Sequence, residues 1–333
     1  MSEPMLRVEN LNVNFNTFDG QARVIDGVSL HVQEKETVGL VGETGCGKSV
    51  VMKVILRILP IPPGEVAGGK VTFEGKDILH SSEDELRTIR GRSISMIPQN
   101  LTSLNPTLTV GEQLTDTLVT RANPDLSLVQ YYRSRSDKEL CRELREKAVQ
   151  ILRDVALPSP ERVMKSYPFE LSGGMKQRIM IAMALSGNPS LVLADEPGTA
   201  LDVTTQNVIL ELLKTKTREK GLSVIYVTHN LAVAAENTQR TYVMYAGQIV
   251  EVAGSNSMFS DPKHPYSIGL IESIPKLTGS DPQGIPGRIP SYYQPPSGCR
   301  FWPRCEHALP ICKKEKPDSV KIDGHIVNCH LFD

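Results

Sequence analysis

The sequence predicts an α/β protein of short buried strands, with a helical segment inserted between them and a small cysteine-bearing tail. Three observations carry this. Apolar runs end in glycine, acid or histidine at residues 36–42, 190–196 and 222–229. A helix-period pattern fills much of 110–190. Four of the six cysteines fall between 299 and 329.

The bulk numbers bound the possibilities. A chain of 333 residues accommodates about two domains, and 40% hydrophobic with 23% charged residues is ordinary for a globular protein. Lys+Arg (37) and Asp+Glu (38) nearly cancel, so charge gives no reason to expect nucleic acid or an anionic membrane as the main partner. No apolar run approaches the roughly 20 residues that span a bilayer. The start, "MSEPMLRVEN", lacks the basic segment and apolar core of a secretory signal. The expected setting is the cytoplasm, where clustered cysteines point to metal or redox chemistry more than to disulfides.

The elements follow in order. "LRVENLNVNF" and "ARVIDGVSLHV" carry strand-forming residues around a glycine-containing turn. "ETVGLVG" is a short apolar run ahead of glycines, as in a buried parallel strand. A helical pattern runs from Gly47 to Ile58 and stops near "LPIPPG". "KVTFEG" and "SISMIPQ" are two more strands. "KELCRELREKAVQILRDVAL" puts Leu140, Cys141, Leu144, Ala148, Ile151, Leu152 and Val155 on one helix face, with charges opposite. Strands resume with "SLVLADE", "LSVIYVTH" and "RTYVMYAGQIV". After about residue 256, Pro and Gly become frequent, which reads as a linker to a small terminal module.

"GETGCGKS", Gly42–Ser49, matches G-x-x-x-x-G-K-[ST] after a predicted strand and before a predicted helix. Glycines let backbone N–H groups wrap phosphates, Lys48 reaches the β- and γ-phosphates, Ser49 can ligate Mg²⁺, and the helix N-terminus adds its positive dipole end. A chance glycine-rich turn is the competing reading, and the flanking elements weigh against it. "LVLADE" delivers Asp195 and Glu196 to the carboxyl end of a strand, where ligands bind in open α/β sheets. Asp195 suits a Mg²⁺ shell and Glu196 a base that positions water; alone, the two would read as surface acids. His229 and Gln99 stand at equivalent strand ends. A lone His is more often structural, and Gln99 by itself would read as a surface residue.

"LSGGMKQR", Leu171–Arg178, taken with the phosphate loop upstream and "LVLADE" downstream, resembles the signature of the ATP-binding cassette (ABC) family over about residues 5–255. The resemblance implies a RecA-like core with an antiparallel β subdomain and a helical subdomain at about 101–188. It implies two cassettes that sandwich ATP. ATP is then held by Phe15, stacked on adenine, and by Gly42, Glu43, Thr44, Gly45, Cys46, Gly47, Lys48, Ser49 and Val50. Mg²⁺ is held by Ser49, Gln99 and Asp195. The catalytic group is Glu196, with His229 as the switch histidine and Gln99 in the loop that senses membrane subunits. Leu171, Ser172, Gly173, Gly174 and Gln177 are expected to contact the partner's ATP, and Asp202 to cross toward the partner site. Two positions depart from the family pattern: Gly198, where Thr or Ser is usual, and Asn230, where Asp is usual.

"DPKHPYSIGLIESIP" and "IPGRIPSYYQPPSGCRFWPRC" are similar to the end of the ATP-binding subunits of oligopeptide and dipeptide importers. This implies a domain at 1–256 and a C-terminal extension at 257–333. The expected partners are a second ATPase subunit, two membrane permease subunits and, indirectly, an external peptide-binding protein, with the chain at the cytoplasmic face of a prokaryotic membrane. Nickel and sugar importers share the architecture, so the cargo stays open. A member acting on nucleic acid or ribosomes fits less well, since the chain has one cassette, no sustained heptads and no basic excess. A non-hydrolytic redox sensor sits poorly with an intact Glu196 and His229.

The tail cysteines, Cys299, Cys305, Cys312 and Cys329, are separated by five, six and sixteen residues. Zinc sites commonly use C-x₂₋₄-C, which is absent. Wide spacing with apolar residues between favours a [4Fe–4S] cluster, with zinc, disulfides or free thiols as alternatives. His307, His325 and His330 are candidates to replace one thiol. Cys46, at a helix N-terminus, is a candidate reactive thiol.

Overall fold

The computed structural model describes residues 3–122, 125, 127, 129–131, 136–198, 201–274 and 284–333. In chain order the elements are β1 (Leu6–Thr17), β2 (Gly20–Val32), β3 (Thr37–Val41), α1 (Lys48–Ile55), β4 (Gly64–Phe73), β5 (Lys76–Asp77), α2 (Glu83–Ile89), β6 (Ile94–Ile97), α3 (Val110–Ala122), α4 (Lys138–Asp154), α5 (Pro160–Val163), α6 (Gly173–Leu185), β7 (Leu191–Asp195), α7 (Val203–Lys220), β8 (Ser223–Thr228), α8 (Leu231–Asn237), β9 (Arg240–Tyr245), β10 (Gln248–Gly254), α9 (Ser255–Ser260), α10 (Pro265–Glu272), β11 (Ser319–Ile322) and β12 (His325–Asn328). They form two compact units, Met1–His80 with Ile225–Asp333, and Ser81–Val224. Among the described residues no helix is long and apolar enough to cross a membrane.

The first unit holds an antiparallel sheet in the order β2-β1-β4-β5. In β1 the buried positions are Leu6 and Val8, then Leu11 and Val13. The change from even to odd numbers comes from the register shift around Asn10, whose φ is 46°. One extra residue puts Leu11 and Val13 on the same buried face as Leu6 and Val8. In a second sheet β3 lies parallel to β9, β9 pairs with β10, β10 with β12 and β12 with β11. β3 and β9 are apolar almost throughout and buried, as strands covered on both faces must be. The run "RTYVMYAGQIV" is two strands, because Ala246 and Gly247 take positive φ and turn the chain between them.

The tail is ordered by docking onto this sheet. Phe301 enters a cluster with Val243, Tyr245, Val250, Tyr266 and Leu270, its ring 5.1 Å from Tyr245 and 5.4 Å from Tyr266. The His325 imidazole bridges Glu251 of β10 at 2.6 Å and Ser257 of α9 at 2.7 Å. Residues 255–260 and 265–272 of the expected linker are helical; 275–283 lies outside the described residues.

In the second unit β6 runs parallel to β7. The helix expected around 138–155 is α4, which buries Ala148, Val149 and Leu152. Gln113 of α3 pins the preceding loop, accepting from the Asn105 N–H at 2.9 Å and donating to the Asn105 and Leu108 carbonyls at 3.0 Å. α6 buries Ile179, Met180, Ile181, Ala182, Ala184 and Leu185, more than one face, as a core helix does.

Candidate active site

In the first unit β3 leads straight into Gly42–Ser49. Gly42 has φ 155°, and a Cβ there would stand 2.1 Å from the Met244 carbonyl oxygen, so only glycine lets the loop leave β3 against β9. The cap residue of α1, Gly47, contributes no side-chain acceptor to the first turn of the helix. Lys48 is 5% exposed, and its Nζ donates to the Gly42 and Glu43 carbonyls at 2.7 and 3.0 Å. Thr44 and Gly45 form the exposed crest, and Ser49 and Val50 are half-buried. Cys46 is fully buried and burial raises its thiol pKa, with Lys48 pulling the other way. The expectation of a reactive thiol there is overturned: desolvation outweighs the helix terminus.

The loop is also gripped from behind. The Tyr266 hydroxyl accepts from the Glu43 N–H at 2.9 Å, and the Tyr292 hydroxyl donates to the Gly45 carbonyl at 2.7 Å. Arg304 spans both Glu43 carboxylate oxygens at 2.8 and 2.9 Å. Sequence reasoning missed all three, since nothing local to residues 266–304 points back to a loop more than 200 positions upstream. Phe15 is half-buried on β1, opposite Ala22 of β2 and Gly64 of β4. His229 follows β8 and is exposed. Asn230 caps α8, accepting from Ala232 N–H at 3.0 Å and Val233 N–H at 3.4 Å, as an Asp there could also do.

In the second unit β7 is buried throughout and ends at Asp195, 4% exposed, followed by Glu196, 7% exposed. Ile97 of β6 pairs with Ala194 of β7, so Gln99 and Glu196, each two residues on, come side by side. Gln99 Nε2 donates to Glu196 Oε2 at 2.8 Å. Glu196 has φ 47°, left-handed and costly for a residue with a Cβ. Gly198 has φ 109°, and a Cβ there would meet Gln206 Cγ at 3.0 Å, which accounts for glycine at this departure from the family pattern.

Ser172 is exposed and caps α6, its Oγ accepting from Met175 N–H at 3.4 Å. Leu171, Gly173 and Gly174 are half-buried around that helix start, whereas Gln177 is buried at 1% exposure. Asp202 caps α7, and its bond from Thr205 N–H at 2.9 Å holds its carboxyl below the usual range. Thr199 and Ala200 lie outside the described residues. A cleft of about 550 Å³, absent from the sequence reading, is lined by Thr109, Glu112, Asp116, Cys141, Arg145 and Lys165 among others. Cys141 therefore borders open space as well as the helix's apolar face.

Residues 25–199, more than half of the chain, match the family profile "ABC transporter". The chain belongs to the ABC transporter family. Residues 250–312 match the "Oligopeptide/dipeptide transporter, C-terminal region". Among curated relatives of this ABC protein, the oligopeptide transport ATP-binding protein OppD of Bacillus subtilis is 42% identical over 98% of this chain and 89% of its own. The dipeptide transport ATP-binding protein DppD of Caldanaerobacter subterraneus is 43% identical over 99% of this chain and 97% of its own. A dimeric ATP-binding cassette solved in a post-hydrolysis state with ADP and Pi has a TM-score of 0.63 at 28% identity, covering 75% of this chain and 99% of that one. The fold is thus the P-loop fold of ABC ATPases, with mixed α/β sheets.

The tail thiols share one locality in this ABC protein. Burial raises the thiol pKa of Cys299, Cys305 and Cys329, the last to about 11, and charge on neighbouring tail cysteines adds to each. None is in a disulfide. Among the described residues, however, no group of three or more His, Cys, Asp or Glu side chains is arranged to hold a metal ion. His325 and His330 are engaged elsewhere: His325 with Glu251 and Ser257, His330 with Asp333 and the Glu315 carbonyl.

Proposed function

We propose that this ABC protein binds and hydrolyses ATP to power peptide import through partner permease subunits. The observation that carries the reading is the likeness to peptide-transport ATP-binding proteins along nearly the whole chain, tail included. Dipeptides and oligopeptides are the favoured cargo over nickel or sugar.

The residues divide the work by chemistry. Gly42–Ser49 wraps the phosphates with backbone N–H groups, and Lys48 turns from the loop carbonyls to the β- and γ-phosphates. Phe15 stacks on adenine, and Val50 continues the first turn beneath the phosphates. Ser49, Gln99 and Asp195 offer hydroxyl, amide and carboxylate oxygens, a hard donor set that suits Mg²⁺. Mg²⁺ would supply charge neutralisation on the β- and γ-phosphates. Glu196, held by Gln99, orients the attacking water, and His229 senses the γ-phosphate. In a dimer Leu171, Ser172, Gly173 and Gly174 present the α6 N-terminus to the partner's ATP, with Gln177 buried one turn behind them, and Asp202 reaches across.

The partners we assign are a second homologous ATPase, two permease subunits and, indirectly, an external peptide-binding protein; nucleic acid is not among them. The place is the cytoplasmic face of the membrane. The division we assign is an ATP-binding domain at 1–256 and a cysteine-bearing extension at 257–333. For the tail we keep the [4Fe–4S] reading, with zinc as the alternative. Four thiols outside disulfides are the soft donors either would take, although their arrangement is not that of an assembled site. Protein purified without oxygen is expected to carry iron with matching sulfide, lost on Cys305→Ser. Zinc alone would replace the cluster by a structural metal, and neither metal would leave docking alone to order the tail. The catalytic reading is tested by phosphate release from the assembled transporter, wild type against Glu196→Gln.

A further inference from the structure

The groups that grip the phosphate loop from behind lie outside residues 25–199, the part that matches the ABC family at large. Arg304 is the most committed of them. Its Nη1 and Nη2 reach the two Glu43 oxygens at 2.8 and 2.9 Å. Its Nε donates to the Pro286 carbonyl at 2.8 Å, Nη2 also to the Ile285 carbonyl at 3.1 Å, and Nη1 also to the Tyr245 hydroxyl at 3.5 Å. All five N–H directions are used, and the side chain is only 5% exposed, so the guanidinium is fixed before any ligand arrives. Tyr292, in the same stretch of chain, is anchored by its carbonyl to the Arg23 N–H at 2.8 Å and holds the Gly45 carbonyl with its hydroxyl.

The electrostatic problem this solves is local. Glu43 puts a carboxylate in the second position of a loop built to attract anions. Left unpaired it would repel a polyphosphate chain at close range. A bidentate arginine removes the net charge and fixes the carboxylate's direction. The Tyr266 and Tyr292 bonds then hold the backbone on either side of Thr44.

We propose that Arg304 is a positioning residue for ATP: it neutralises Glu43 and, together with Tyr292, holds the Glu43–Gly45 arm of the loop in its anion-binding shape. The inference rests on the reading of Gly42–Ser49 as the ATP phosphate site. It makes the C-terminal extension part of the nucleotide site, and Arg304 directly precedes Cys305, so whatever holds the tail thiols also holds the clamp.

The test is ATP titration of the full chain by calorimetry at two salt concentrations, with KM and kcat measured in parallel. Arg304→Gln is expected to weaken ATP binding on the order of tenfold, the scale of one unpaired charge near the phosphates. The loss should appear in KM more than in kcat and shrink at high salt, as screening requires. Adding Glu43→Gln to Arg304→Gln should restore most of the affinity, because it removes the stranded charge; a purely structural role for Arg304 gives no such rescue. Tyr292→Phe deletes one hydroxyl, should weaken binding a few-fold with an unchanged thermal midpoint, and decides the matter if Arg304→Gln fails to fold. Wild-type affinity in Arg304→Gln and Tyr292→Phe, with binding lost in Lys48→Ala, overturns the inference and leaves the phosphate loop in place. Wild-type affinity in Lys48→Ala overturns both.

Discussion

Glu196 combines three properties seldom found together in a structural carboxylate. It is buried, it sits at φ 47°, and its Oε2 accepts a hydrogen bond from a glutamine two residues beyond a parallel strand. Backbone strain at a strand end is stable only where the surroundings over-determine it, and here the buried strand β7, paired with β6, and the Gln99 hydrogen bond do so. Replacing the carboxylate by an amide keeps the shape and the contact to Gln99 but removes the proposed base. Glu196→Gln is therefore expected to retain ATP binding and lose turnover by about 10²–10⁴-fold, the range for a positioned general base. Phosphate release at saturating ATP measures it, and near-normal turnover would remove Glu196 from this role. At this scale the motif residues were legible because phosphate chemistry demands particular residue types at fixed spacing. Cys46 was misread for a physical reason: a sequence displays the helix terminus that lowers a thiol pKa but conceals the burial that raises it.

At the scale of elements, α10 opens on a buried histidine. His264 Nδ1 accepts from the Tyr266 N–H at 3.0 Å, and its Nε2 has no hydrogen-bond partner among the described residues. Burial lowers its pKa from 6.5 to about 3. Above pH 6.5 both folded and unfolded chains carry it neutral. Below that, the unfolded chain takes up a proton that the folded chain refuses, so its contribution is full above pH 6.5 and is lost as pH falls toward 3. The slope is about 1.4 kcal/mol per pH unit. His264→Asn keeps an acceptor at the cap and has no proton to gain. Its stability in urea titrations should fall less steeply from pH 6.5 to 5 than that of the wild type; parallel profiles would contradict the assignment. Elements were legible where apolar runs were long and continuous, as in β3, β7 and β8. α10 was missed because "HPYSIGLIE" looks broken by proline, although proline suits the first helical position. The hairpin β11–β12 carried an available signal, Asp323-Gly324 between alternating residues, both at positive φ.

At the scale of the molecule, the motif residues fall on both units: Gly42–Ser49, Phe15 and His229 on the first, and Gln99, Asp195, Glu196 and Ser172 on the second. No sequence period announces such a division, because the first unit is assembled from both ends of the chain. The tail belongs to that unit through its core as well as its covalent link. Phe301 is 3% exposed and touches the rings of Tyr245, Tyr266 and His264. Phe301→Ala is expected to cost about 3–5 kcal/mol in urea unfolding, and it should loosen ATP binding as well, since Arg304 follows three residues later. A loss below about 1 kcal/mol would mean that the tail merely rests on the sheet.

The central claim is that ATP turnover by this chain drives peptide uptake, and labelled dipeptide accumulation in cells tests it most directly. Cells lacking the chain are compared with cells given back the wild type or Glu196→Gln. Uptake restored by the wild type and absent with Glu196→Gln is the expected result. Equal uptake in all three would contradict it.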